Sequence, residues 1–223
     1  MKVETIKYKV FPMLGWLIAL MTISAYTVSK ALLGYFGVKY QRIAEAVLSP
    51  VGFIVIIVLY FVFFFIAYFT VKIPIVNVVT ASIFSIIMGA GMFGSVFYLA
   101  DLTNAQIVPE ALILTSGVFV IAVIFQWITN KDLSSWAWWL FFLLLIAIGL
   151  TFAEIVVQAT LFRIAVDLGV VILFIVFVVY DTSVIRNKLP DDAWMVGVLG
   201  FFLDFANILI RIIVLLIEIM GNQ

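Results

Sequence analysis

The chain has 223 residues, of which 67% are hydrophobic and only 11% are charged, and its mean hydropathy is +1.34. A globular core of this size cannot bury so much apolar surface, so the composition excludes a soluble protein and predicts a multi-pass integral membrane protein whose main partner is the lipid bilayer. The formal net charge of zero excludes the basic surface that nucleic acid binding requires. The lack of Cys and His excludes disulfides, thiolate nucleophiles, cysteine metal sites and the usual proton switch near neutral pH.

Apolar segments long enough to cross a bilayer recur along the whole chain. The first follows the basic stretch Met1–Lys9 and is too long for the core of a signal peptide, so we predict that it is a membrane span. Windows of about 20 apolar residues predict an all-α bundle of seven transmembrane helices, in one domain over residues 1–223. The predicted spans are residues 11–33, 51–71, 75–100, 111–129, 135–156, 162–184 and 194–218. The break at residues 154–163 is the weakest, and without it the chain has six spans.

Basic residues are divided unevenly between the two sides of the predicted bundle. One side carries Lys2, Lys7, Lys9, Lys72, Lys131, Arg186 and Lys188, and the other carries Lys30, Lys39, Arg42 and Arg163. Because positive residues are enriched on the cytoplasmic side of a membrane, this asymmetry predicts a cytoplasmic N-terminus and an external C-terminus.

Ionisable residues are concentrated in and near the last three predicted spans, although charges at membrane depth are costly and mark functional sites by default. Four of them lie near span ends, where we expect headgroup water to solvate them: Glu154, Arg163, Asp167 and Glu218. Asp181 and Asp204 differ from these four, because Asp181 directly follows a long apolar run and Asp204 lies inside one. These two aspartates are therefore the main candidates for function.

Asp181 and Asp204 flank a loop centred near residues 189–192, at distances that place them at similar depth on two antiparallel helices, given ~1.5 Å of rise per residue. We expect the two carboxyl groups to face each other. Two carboxylates in contact in a low-dielectric environment cannot both stay ionised, so the pair would share a proton and serve as a pH sensor and gate. Once deprotonated, the pair would attract Ca²⁺ weakly and transiently, because two side chains supply few of the oxygen ligands that Ca²⁺ takes.

Other polar residues are candidates for supporting roles. Asp204, Asn207 and Arg211 lie on one stripe of the last span. Asn207 is a candidate pore residue, and Arg211 is a candidate charge partner that would reach Asp204 through water or after a rotation, unless this region forms a structural salt bridge. Asp101 and Glu110 flank the loop between the third and fourth spans, where they either gather cations at an entrance or are ordinary solvated loop residues.

Three sequence elements point to a known family. Tyr180–Ile185 contains a Tyr-Asp-Thr element, and Phe202–Leu209 contains a Leu-Asp-Phe element that leads into an aliphatic and Asn-containing turn. Thr115 and Phe119 lead to Thr129–Ser135, which contains Lys-Asp-Leu-Ser. Together these elements resemble the transmembrane Bax inhibitor motif family over about half of the chain.

The resemblance implies a seven-helix fold with the last helix near the centre, and a pH-sensitive Ca²⁺ leak regulated by two aspartates that map onto Asp181 and Asp204. It implies no cofactor, since Ca²⁺ is the permeant ion. Family members tend to carry a basic residue at the end of the second span that latches onto the last-span Asp. Lys72 is the candidate here, although Lys lacks the planar fork of Arg. Eukaryotic relatives sit in internal membranes and restrain cell death.

Other functions fit parts of the same pattern. A proton-coupled cation transporter would also use buried carboxylates, and a non-conducting scaffold would regulate partner membrane proteins without needing them. An intramembrane aspartyl protease is disfavoured, because the Gly-x-Gly-Asp element of that class is replaced by Phe201–Asp204, so we expect no enzyme activity. A eukaryotic source would place the chain in the endoplasmic reticulum and a prokaryotic one in the plasma membrane, and the lack of a eukaryotic-looking tail favours a prokaryotic member.

Overall fold

The structure, a computed structural model, describes residues 1–47, 49–70, 73–157 and 159–221. Across these residues the chain is helical and contains no strand. The helices are α1 (Val3–Leu32), α2 (Val38–Val47), α3 (Pro50–Phe69), α4 (Pro74–Thr103), α5 (Ile107–Thr129), α6 (Ala137–Val156), α7 (Thr160–Asn187) and α8 (Trp194–Met220). Short π-helical turns interrupt α1 at Ile6–Val10 and α4 at Gly89–Phe93.

Within the described residues, six helices are long and apolar enough to cross a membrane: α1, α4, α5, α6, α7 and α8. The expectation of an all-α, multi-pass membrane protein is therefore confirmed. The weakest predicted break is real, because α6 ends at Val156 and α7 begins at Thr160. The predicted second span corresponds to α3, which has 20 residues and no charged side chain.

Local signals explain where several helices begin and end. The Ser49 hydroxyl accepts a hydrogen bond from the backbone N–H of Gly52 at 3.1 Å, which caps the start of α3. Pro74 begins α4, where its fixed backbone angle suits the first helical turn and its missing N–H has no partner to lose. Asn130 ends α5 in the left-handed conformation with φ of 50°.

The described chain forms two compact units. The N-terminal unit comprises Val3–Leu102 with Pro190–Leu199. Its helices α1 and α4 approach closely at Gly89, where an added Cβ would collide with the Met21 carbonyl oxygen and the Ser24 side chain. One turn earlier, the buried Ser85 hydroxyl donates to the Leu17 carbonyl at 2.5 Å. Small residues thus bring the two backbones together, as is usual for helices packed in lipid.

The C-terminal unit comprises Met1–Lys2, Thr103–Leu189 and Gly200–Gln223. A buried apolar cluster joins α6 to α7 through Leu140, Ala147, Val166, Val170 and Leu173. This unit carries both Asp181 and Asp204, so it carries the candidate site. A single domain over residues 1–223 and a central last helix stay predictions.

Candidate functional site

Asp181 lies in the C-terminal half of α7 and is half-buried, whereas Asp204 lies in α8 and is only 4% exposed. The Asp181 carboxyl lies against Gly200, so closely that a Cβ added to this glycine would collide with Oδ2. Gly200 precedes Asp204 by four residues, which places both on one face of α8. The glycine therefore makes room for Asp181 beside the helical face that carries Asp204.

The Asp204 carboxyl is buried, and the negative charge of Asp181 acts on it. Within the described part of the chain, its Oδ2 has no hydrogen-bond partner. An ionised carboxylate in such a place would have lost its hydration without replacement, which is costly unless a proton or a cation compensates. The site thus combines two mutually repelling acids with one unsatisfied oxygen.

Aromatic side chains pack α5 against the segment of α8 that contains Asp204. The ring of Phe119 makes edge-on contacts with Phe201 and Phe205, at centroid distances of 5.3 and 5.8 Å. Thr115 lies one turn before Phe119 on the same face of α5 and is fully buried. Its hydroxyl has no partner among the described residues. The Thr115 hydroxyl is therefore available for a polar contact next to this aromatic packing.

The end of α7 that carries Asp181 is fixed to the loop between α5 and α6. The Ser183 hydroxyl donates to the Lys131 carbonyl at 3.0 Å and accepts from the backbone N–H of Leu133 at 2.9 Å. Lys188 forms an ion pair with Asp132 at 3.0 Å. A hydrogen bond from the Ser134 backbone N–H, together with this ion pair, lowers the pKa of Asp132 to about 2. The Lys-Asp-Leu-Ser element therefore anchors α7 two residues after Asp181.

Arg211 lies with acids other than Asp204. Its guanidinium donates to Asp167 Oδ1 at 2.5 Å, to Thr151 Oγ1 at 2.6 Å and to Glu154 Oε2 at 3.5 Å. The candidate role of Arg211 as charge partner of Asp204 stays a prediction that would require a rearrangement of these contacts.

The expectation that headgroup water solvates Glu154, Arg163, Asp167 and Glu218 was wrong for the buried acids among them. The Asp167 side chain is 1% exposed and pairs with Arg211, and the Glu218 side chain is 8% exposed and pairs with Arg163 at 2.7 Å. Burial is tolerated because each acid meets an opposite charge on a neighbouring helix, which compensates for the lost hydration.

Asp101 is not a solvated loop residue, and its candidate role at a cation entrance stays a prediction. It lies within α4, its side chain is 5% exposed, and it accepts hydrogen bonds from Ser29 at 2.8 Å and from Lys30 at 2.9 Å. Its physical role is to tie α4 to α1, because the two donors neutralise and satisfy its carboxylate. Glu110 lies exposed in the first turn of α5, so it retains the predicted access to solvent.

Asn207 follows Asp204 by one helical turn and donates to the Leu203 carbonyl at 2.8 Å. It lines a cavity of about 270 Å³ together with Thr151 and Arg211. Lys72, the candidate latch, lies outside the described residues. No group of three or more carboxylates that could hold a metal occurs in the described ranges, so a cation between Asp181 and Asp204 would meet two protein carboxyls and would need water to complete its ligands.

Comparison with known proteins extends the resemblance to almost the whole chain. No curated protein matches the sequence. A family model described as "Inhibitor of apoptosis-promoting Bax1" matches residues 4–222. This match covers most of both units and all the candidate site residues discussed above. The chain therefore belongs to the Bax inhibitor family of multi-pass membrane proteins.

Proposed function

We propose that this protein is a pH-sensitive Ca²⁺ leak channel in which Asp181 and Asp204 share a proton and gate the ion path. The observation that carries the proposal is the packing of the Asp181 carboxyl against Gly200, one turn before Asp204. This packing brings two acids of α7 and α8 into electrostatic contact at membrane depth. Ionisable groups in such positions commonly line ion pathways or proton relays.

The mechanism follows from the number of charges that the site can hold. With a proton on the pair, the two carboxyls carry at most one negative charge and can lie together. Without it, two negative charges repel each other, and the helices are expected to rearrange or to admit a cation. Ca²⁺ suits this state because it prefers oxygen ligands and tolerates an incomplete protein shell that water fills. Weak binding favours passage, since a tightly held ion would not leave.

We further propose seven spans, with α3 as the second, and a cytoplasmic N-terminus. The N-terminal ammonium of Met1 donates to the Arg186 carbonyl at 3.1 Å. This contact supports a common side for the N-terminus, Arg186 and Lys188, as the positive charges predict. Because the chain contains no Cys, single cysteines at Lys188 and Gly221 can be labelled from either side. The proposal expects them to react on opposite sides, and labelling of both from one side would contradict it.

The experiment that tests the function measures Ca²⁺ entry into dye-loaded proteoliposomes between about pH 5 and 8. Wild type is compared with D181N, D204N and the control D192N, which neutralises an exposed acid in the loop before α8. The proposal predicts a pH-dependent flux in wild type and D192N, and loss of the pH dependence in D181N and D204N. Absence of flux at every pH, or flux that both substitutions leave unchanged, would contradict the leak function and favour a transporter or a scaffold.

A further inference from the structure

A second charged site lies further along α8, on the same stripe as Asp204. Arg211 follows Asp204 by seven residues, or ~10 Å along the helix axis. Its guanidinium joins three helices, because it contacts Thr151 and Glu154 of α6 and Asp167 of α7. We refer to Arg211, Asp167 and Glu154 as the clasp.

The clasp contains more negative than positive charge. One guanidinium serves two carboxylates, and the Oε1 atom of Glu154 is buried without a hydrogen-bond partner among the described residues. Arg163 contributes a more distant positive charge, but its own contact is the ion pair with Glu218. A cluster with surplus negative charge in apolar surroundings attracts cations.

A cavity with mostly apolar walls lies beside Arg211 and the turn that follows Asp204. The cavity of about 270 Å³ is lined by Thr151, Asn207 and Arg211 in addition to apolar side chains. A water molecule occupies about 30 Å³ of liquid volume, so this space suffices for several waters or a hydrated cation. Asn207 lies between Asp204 and Arg211 on the stripe, and it lines the cavity together with Arg211.

Helix α6 is joined to α7 by the apolar cluster that contains Leu140 and Ala147, and further along it is joined to α8 by the clasp. Only 6% of its most apolar window is buried. Among its described side chains, the buried ones are Leu140 and Ala147, which lie in its first half and middle. The polar contacts of Thr151 and Glu154 with Arg211 therefore hold the second half of α6 to α8. After Ala147 no described side chain of α6 is buried, so we expect this second half of the helix to be displaced more easily than the first half.

We propose that the Arg211 guanidinium is a tethered cation that occupies the carboxylates of Asp167 and Glu154 and thereby closes a second constriction of the ion path. The inference rests on the proposed leak function and adds a gate to it. While Arg211 is paired with Asp167 and Glu154, its guanidinium occupies the position that a mobile cation would take. Its contacts also hold α6 against α8. When Arg211 leaves, the two carboxylates face the cavity and attract a hydrated cation.

The test uses the accessibility of the cavity, which can be measured without any ion flux. A cysteine at Asn207 is introduced into the chain, which has none of its own, and its reaction with a membrane-impermeant cationic methanethiosulfonate is timed in proteoliposomes. Its rate is compared between the Arg211 background and R211Q. The matched control is R163Q, which breaks a different ion pair of the same unit. A cysteine at Leu145, an exposed α6 residue outside the cavity lining, reports labelling from the lipid side.

We expect R211Q to accelerate labelling at position 207 about tenfold, while R163Q and the cysteine at Leu145 show no such change. Removing one partner of a buried ion pair can prevent folding, so R211Q/D167N provides a second variant in which one negative charge is removed with the positive one. The same acceleration is expected there. Slow labelling in both Arg211 variants would overturn the clasp, even if the aspartate pair governs flux. A different result would be fast labelling in R211Q and R211Q/D167N together with Ca²⁺ flux that D181N and D204N leave unchanged. It would support Arg211 as a gate and would contradict gating by Asp181 and Asp204.

Discussion

The Asp181 carboxyl occupies the space that a side chain on Gly200 would need, one helical turn before Asp204. This relationship couples α7 to α8 at the point where each helix carries an acid. It also explains why a glycine stands inside α8, although glycine in a helix interior is usually less favourable than alanine by roughly 1 kcal/mol.

The substitution G200A should separate the function from the fold. The added methyl group meets the end of the flexible Asp181 side chain rather than backbone, so the carboxyl can turn away at little cost. We expect G200A to unfold at or above the wild-type temperature in detergent, while its Ca²⁺ flux shows a shifted or weakened pH dependence. The control is G169A, at a glycine of α7 where nothing lies within 4 Å of the added Cβ. Equal pH profiles in the two variants would argue against the contact.

G89A should damage the fold instead. At Gly89 the added Cβ meets the Met21 carbonyl of the neighbouring helix, and a backbone atom cannot turn away as a side chain does. Overpacking of this kind typically costs about 1–3 kcal/mol. We expect G89A to lower the thermal unfolding temperature in detergent, whereas G15A, with nothing within 4 Å of its added Cβ, should leave it unchanged or raise it. Unchanged stability of G89A would mean that α1 and α4 are less closely packed.

Ser183 should be important for anchoring the end of α7. Its hydroxyl makes two hydrogen bonds to the loop between α5 and α6, and each is worth about 1 kcal/mol. We expect S183A to speed amide hydrogen exchange at Leu133, whose N–H loses its acceptor. The control S95A removes a hydroxyl that contacts a carbonyl of its own helix. Exchange at Leu133 that is equal in S183A and S95A would contradict the anchoring role.

Asp132 should titrate near pH 2, which a carbon-13 carboxyl titration in detergent micelles can follow. Since its pKa is lowered on folding, this carboxylate stabilises the loop above its ordinary pKa near 3.8, and the contribution is lost as the pH falls toward 2. Removing the ion pair in K188M should raise the titration midpoint of Asp132 only part of the way to its ordinary value. The hydrogen bond from the Ser134 backbone N–H remains in this variant, and it is the larger cause of the lowered pKa. K131M, which removes a neighbouring charge, is the control. A midpoint that does not move in K188M would contradict the ion pair.

Hydropathy predicted most of the fold because lipid solvation requires continuous apolar helices. The windows at residues 75–100 and 162–184 lie within α4 and α7, and each is between one and three residues short at both ends. Periodicity could not predict the π-helical turn at Gly89–Phe93, since an extra residue in one turn leaves no compositional trace.

The charge pairs were only partly predictable. Counting outward from the loop before α8 placed Asp181 near Asp204, and the same counting places Asp167 and Arg211 at about equal distances from Pro190. The pair Asp167–Arg211 was therefore within reach of the sequence, but Asp167 was interpreted as a span-end residue and Arg211 as a candidate partner of Asp204. The pair Lys30–Asp101 could not be predicted from the sequence, because it depends on which of several helices pack together.

The measurement that tests the central claim most directly is a comparison of Ca²⁺ flux against pH in wild type, D181N, D204N and the double variant D181N/D204N. Two residues that share one proton act as a unit, so their substitutions should be strongly non-additive. The account predicts that each single variant already loses the pH dependence and that the double variant adds nothing further. Independent, additive shifts of the pH profile, with pH dependence retained in both single variants, would contradict the shared proton.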